Sequence, residues 1–91
     1  MLISELAEKK VYDSSMALLG RVKDIDIDPV GFLARYLVVE LEGGAAKRAL
    51  GGRSIFRKVR AKVPTSYIHR LGDAIVLNVS MEDLRGKLEK A

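Results

Sequence analysis

The sequence predicts a mainly β fold: a small, highly bent antiparallel β-barrel of five to six strands, closed or partly open, with a short C-terminal helix. Three observations lead there. Short segments alternate apolar and polar residues, glycine- or aspartate-bearing turns separate them, and a helical apolar spacing closes the chain. At 91 residues, 48% of them hydrophobic, the chain makes one domain, 1–91, with a single small core. The barrel is expected over about residues 1–79 and the helix over about 81–90.

Taken in order, "ISELAEKK" is a short helical turn in which Ser4 is a suitable cap and Leu6 and Ala7 face inward. "KVYD" is a brief strand running into the turn residues "DSS". From Gly20 to Asp28 the pattern is strand-like but slips, because Val22 has even parity while Ile25 and Ile27 have odd parity. A bulge near Lys23 and Asp24 would bring all three to one face. "DPVG" is a turn with proline at its second position, and a second strand follows from Phe32 to Glu42, giving a hairpin or adjacent antiparallel pair over 20–42.

Both faces of that second strand are largely apolar. Leu33, Leu37, Val39 and Leu41 share one face with Arg35, while Phe32, Ala34, Tyr36, Val38 and Glu40 take the other. Such a strand is central to a barrel, covered by the terminal helix, or part of a subunit contact. "GGAAKRALGG" is expected to be a mobile hairpin loop. In "SIFRKVRAKVP", Ile55, Val59, Ala61 and Val63 alternate with Phe56, Lys58, Arg60 and Lys62, an apolar face backed by a basic stripe led by an aromatic. "PTSYIHRLGD" gives one helical turn and a glycine turn before the strand "AIVLNV". Ser80, with Asp83 three residues on, caps a helix to about Lys90 that carries Met81, Leu84 and Leu88 on one side. Gly86 weakens that helix by about 1 kcal/mol relative to alanine, so it depends on docking.

"DIDIDPVGFLAR", residues 24–35, has the acidic spacing of a calcium loop in Asp24, Asp26 and Asp28. The sixth position is Pro29 rather than glycine, and the twelfth is Arg35, a cation where a bidentate carboxylate should stand. A strand edge is the better reading, with Arg35 brought near one of the aspartates by antiparallel pairing. The glycines of "GGAAKRALGG" do not make a phosphate-binding loop: the residue five before Gly52 is Lys47, and Arg53-Ser54 follows. With no cysteine and one histidine, thiolate metal sites, disulfides and histidine pairs are excluded. His69 lies in "SYIHRLGD" as a surface or helix-end residue, and Ser14 and Ser15 sit in a turn without the glycines of a nucleophile elbow. No enzymatic activity, cofactor, metal or small-molecule substrate is expected, and the absence of a signal peptide or spanning segment points to the cytoplasm without membrane insertion.

Net charge is only +4, but it is segregated. Residues 43–72 hold eight cations (Lys47, Arg48, Arg53, Arg57, Lys58, Arg60, Lys62, Arg70) and no acid, leaving eight cations against twelve acids elsewhere. Such segregation suits an acidic partner, nucleic acid, or contact between copies.

"ISELAEKKVYDSSMALLGRVKDIDIDP", then "ARYLVVELEG", then "KVPTSYIHRLGDAIVL" resemble the PRC-barrel family over nearly the whole chain. The matching positions are Val11 and Asp13, the Gly20-x-Val22-x-Asp24-Ile25 step, Leu37-Val38-Val39, Val63-Pro64, Ile68 and Gly72-Asp73. The resemblance implies a six-stranded barrel that works as a docking module without chemistry. Stand-alone domains of this size look like archaeal members, some linked as self-binding adaptors to assembly of the tubulin-like division ring. In the bacterial ribosome-maturation factor the domain instead contacts ribosomal components.

Two functions follow as expectations. The first is a non-enzymatic adaptor that forms homodimers or short polymers and binds other proteins, with Phe32, Tyr36, Val38, Met81, Leu84 and Leu88 as its self-association surface. The alternative is an RNA- or ribosome-associated module using Lys58, Arg60 and Lys62 on phosphates and Phe56 for stacking.

Overall fold

The computed structural model describes residues 1–50 and 59–90. Helix α1 (Ile3–Leu6) is followed by strands β1 (Lys10–Tyr12), β2 (Leu18–Asp28) and β3 (Leu33–Leu41), helix α2 (Gly43–Leu50) and strand β4 (Arg60–Pro64). A 3-10 turn (Thr65–Tyr67) leads into β5 (Ile68–Leu71) and β6 (Ile75–Leu77), and the chain continues through helix α3 (Met81–Leu84) to β7 (Glu89–Lys90).

One sheet holds all the strands in the order β5-β6-β1-β2-β3-β4-β7, six strands plus the two-residue β7. Among the described residues its outer strands β5 and β7 do not pair, so hydrogen bonds do not close a barrel. The expected all-antiparallel arrangement is also corrected: β1 and β6 run parallel, with Val11 opposite Ile75 and Tyr12 opposite Val76. The reason is the distance in sequence between them, since parallel neighbours need a long crossover and the rest of the sheet supplies it. Side chains from β6 near one end of this order to β4 near the other join a single core, Ile75 and Leu77 with Val11, Val22, Leu37, Val39, Ala61 and Val63. The sheet therefore curls around that core in barrel fashion.

The β2–β3 hairpin is the longest pairing, from Gly20 opposite Leu41 to Asp28 opposite Leu33. The register shifts between Val22 and Asp24, the bulge that the parity slip requires, and again between Asp26 and Ile27. Val22 is buried, and Ile25 packs half-buried against the core. Gly20 is the position where no side chain fits: a Cβ there would lie 2.0 Å from the Glu40 carbonyl oxygen. Its absence lets β2 and β3 close on each other where the sheet bends.

"GGAAKRALGG" is not a mobile loop over its described part. Gly43–Leu50 is helical, with Ala45, Ala46 and Ala49 buried on the inner face, packed beside α3 and β2. The C-terminal helix is shorter than expected. Ser80 Oγ accepts from the Asp83 N–H (3.1 Å) as its cap, but α3 ends at Leu84, Gly86 turns the chain at φ 81°, and residues 89–90 pair with β4. At the other end, α1 begins after Leu2, so Ser4 lies inside the helix rather than capping it; Leu6 packs on the core while Ala7 is exposed. The helical turn read in "PTSYIHRLGD" is the 3-10 turn, but Ile68–Leu71 then forms a strand rather than a loop.

Candidate interaction surface

The three aspartates of "DIDID" are held by their own chain. Asp26 faces Lys62 of β4 (Oδ2 to Nζ, 3.1 Å), and that ammonium lies 5.3 Å from the centre of the Tyr36 ring. Asp28 meets Arg35 across the hairpin (3.6 Å), and its Oδ1 accepts from the Val30 N–H (3.0 Å). The Asp24 carboxylate accepts from the Ile25 N–H (2.8 Å) beside the bulge. Cross-strand pairing continues with Arg60 and Glu40 (3.8 Å), and Lys23 pairs with Glu8 (2.6 Å). The bond with Asp26, then its charge, hold the Lys62 pKa above its ordinary value, and the bond with Lys23 holds the Glu8 carboxyl below its own. Each of these pairs has one partner open to solvent, so they set register more than they stabilise.

At the far end of the hairpin the surface changes character. Val30 is 95% exposed, Phe32 80% and Leu33 52%, an apolar set at the turn. Phe32 sits at φ 53°, the left-handed region that suits glycine or asparagine. A bulky residue there costs on the order of 1–3 kcal/mol, and its ring is in water rather than in a core that would offset the cost.

A second constellation joins the turn after β1 to the start of α3. Asp13 is fully buried and accepts four hydrogen bonds: Oδ1 from the Ser15 N–H (2.9 Å), the Ser15 hydroxyl (2.8 Å) and the Ala17 N–H (2.8 Å), and Oδ2 from the Met81 N–H (3.0 Å). Burial pushes its carboxyl up, but the bonds from Ala17, the Ser15 hydroxyl, Met81 and the Ser15 amide outweigh that and leave it below its ordinary value. "DSS" signals the local turn; nothing in the spacing announces the bond to α3.

Of the residues expected to form a self-association surface, Phe32 is exposed and Tyr36 and Val38 are half-buried on the face that carries Lys62. Met81 and Leu84 belong to the core, and Leu88 packs half-buried against it. Helix α3 turns Met81 and Leu84 inward, away from any partner, while Leu88 lies beyond that helix and keeps part of its surface open. Arg60 and Lys62 are both paired with acids, while Phe56 and Lys58 lie outside the described residues. Ser14 and His69 border a depression of about 340 Å³ with Val76, Leu77 and Asn78. Among the described residues no three of His, Asp or Glu gather as metal ligands, and no helix is long and apolar enough to cross a membrane.

Fold and surface together define a small, curled β-sheet module of barrel type, with an apolar hairpin end and a charge-paired outer face. The profile of the PRC-barrel domain matches residues 1–84, and the chain belongs to that family. No curated protein matches it.

Proposed function

We propose that this protein is a non-enzymatic adaptor that associates with itself and with other proteins. The observation that carries the reading is the hairpin end, where Val30, Phe32 and Leu33 stand in water with Phe32 in a costly backbone conformation. Strained residues of this kind cluster at functional sites, and exposed apolar patches mark interaction surfaces. The setting we propose is the cytoplasm of an archaeal cell and assembly of the tubulin-like division ring, the role that the resemblance to stand-alone archaeal members implies. Binding of RNA or the ribosome is the weaker alternative, because two cations of the basic stripe, Arg60 and Lys62, already face Glu40 and Asp26. Light scattering across a concentration series tests the first reading: more than one subunit is expected, and a strictly monomeric protein overturns it. Titration with mixed RNA oligomers across salt tests the alternative, which requires affinity that falls as salt rises.

A further inference from the structure

Strand β4 has a full neighbour on one side only. β3 pairs with it from Arg60 to Pro64, whereas on the other side β7 meets just Ala61 and Lys62. An edge so thinly covered is of the kind that takes up another strand. What aims the tail at it is a type II turn. Arg85 stands at φ −60° and ψ 124°, Gly86 at φ 81°, and the Lys87 N–H donates to the Leu84 carbonyl (2.9 Å). The third position of that turn suits glycine, and a Cβ there would meet nothing within 4 Å.

We propose that the β4 edge is a binding site for an extended acidic segment of a partner protein, and that residues 87–90 occupy it as a built-in competitor; this adds a second surface to the adaptor reading above. The strand already seated there shows what the edge accepts. The alternation of β4 puts Ala61 and Val63 in the core and Arg60 and Lys62 on the other face. Opposite Lys62 the tail supplies Glu89, whose charge, after the bond and charge of Asp26, favours the ammonium form. One residue earlier, Leu88 packs half-buried against the core. An antiparallel partner strand that completes this pattern carries an apolar residue, an acid, an apolar residue and a second acid opposite Val63, Lys62, Ala61 and Arg60 in turn. Asp26 and Glu40 also face these two cations, but an ammonium and a guanidinium each have more donors than one carboxylate uses.

The tail's hold is small. Two paired residues and one half-buried leucine put it at the low end of local stability, with Gly86 as the pivot. Helix α3 stays in place when the tail leaves, because Asp13 and Ser80 hold its first turn through Met81 and Asp83. The affinity for a partner strand is then set by the fraction of molecules in which the edge is open.

Fluorescence anisotropy tests this with a labelled peptide carrying leucine-glutamate-valine-glutamate between glycine-serine ends, circular dichroism confirming that each protein folds. Gly86→Val forces a β-branched residue to φ 81° without touching another side chain, which disfavours the closed tail. It is expected to bind the peptide about tenfold more tightly than the wild type, the weight of a left-handed β-branched residue on the closed form. Adding Lys62→Glu to that variant is expected to reverse the gain. In the wild type, saturating peptide is expected to move the amide signals of Ala61 and Lys62 in nuclear magnetic resonance spectra. Equal affinity in the wild type and Gly86→Val overturns the tail's role as competitor. No binding by either, or unmoved signals in β4, overturns the site. Equal binding of a peptide with its two glutamates adjacent, or equal competition by mixed RNA oligomers, overturns the strand reading in favour of bare charge. Light scattering reads self-association separately, so loss of peptide binding leaves that reading standing, and a monomeric protein that binds the peptide removes it while keeping this site.

Discussion

Met81 N–H donates to Asp13 Oδ2 at 3.0 Å, joining the turn after β1 to the start of α3 across 68 positions of sequence. The carboxylate also fixes its own turn through Ser15 and Ala17, so one buried anion closes a loop and holds the first turn of a helix. Asp13→Ala leaves the Met81 donor buried and unpaired. The expected loss is about 2–3 kcal/mol, read as a lower urea midpoint without a change in slope.

The same group sets an acid limit. Its pKa is lower in the folded chain than in the unfolded one, so its contribution is fully present above the unfolded value, near ~3.9, and disappears as pH falls through the lowered folded value. Wild type should therefore lose stability below about pH 4 more steeply than Asp13→Asn. Parallel acid profiles of thermal melting for the two proteins would remove Asp13 from this role.

Gly20→Ala should be among the most damaging small substitutions. Its new methyl must displace the Glu40 backbone from 2.0 Å, an overpacking cost of about 3 kcal/mol or a failure to fold. Gly72→Ala, where a Cβ meets nothing within 4 Å, is the control and should be near neutral.

Phe32→Asn separates stability from association. Asparagine tolerates the left-handed backbone, and the exposed ring makes little contribution to the core, so folding stability should hold or rise by up to about 1 kcal/mol. Self-association should fall in the same protein. A large loss of stability would show that Phe32 is held for the fold rather than for a partner.

Leu84→Ala gives the reverse pattern. Leu84, the last residue of α3, is fully buried in the core, so its truncation should cost about 3 kcal/mol in chemical denaturation. Association per folded molecule should be unchanged, since the side chain never reaches the surface.

What could be read from the sequence was local. The slip between Val22 and Ile25 demands a bulge, and one lies there; "DPVG" places Arg35 across from the aspartates, and it meets Asp28; Ser80 and Asp83 form the cap. Each depends on neighbours a few residues apart. Helix α2 was obscured because its inner face is only Ala45, Ala46 and Ala49 between glycine pairs, helical spacing without large apolar residues. A charge-segregated sequence suggested a free basic stripe, but β4 sets Lys62 and Arg60 opposite Asp26 and Glu40, so these two cations of the segregated stretch are paired within the chain.

The sequence by itself determined the strand periods, the turns, the bulge and the family, because backbone alternation and turn chemistry act over a few residues. Only the tertiary structure decided that β1 and β6 run parallel, that Met81 and Leu84 are core, that Asp13 anchors α3, and that Phe32 is left in water. Those outcomes depend on how a curled sheet closes over one small core, a condition on residues far apart in sequence that no local pattern carries.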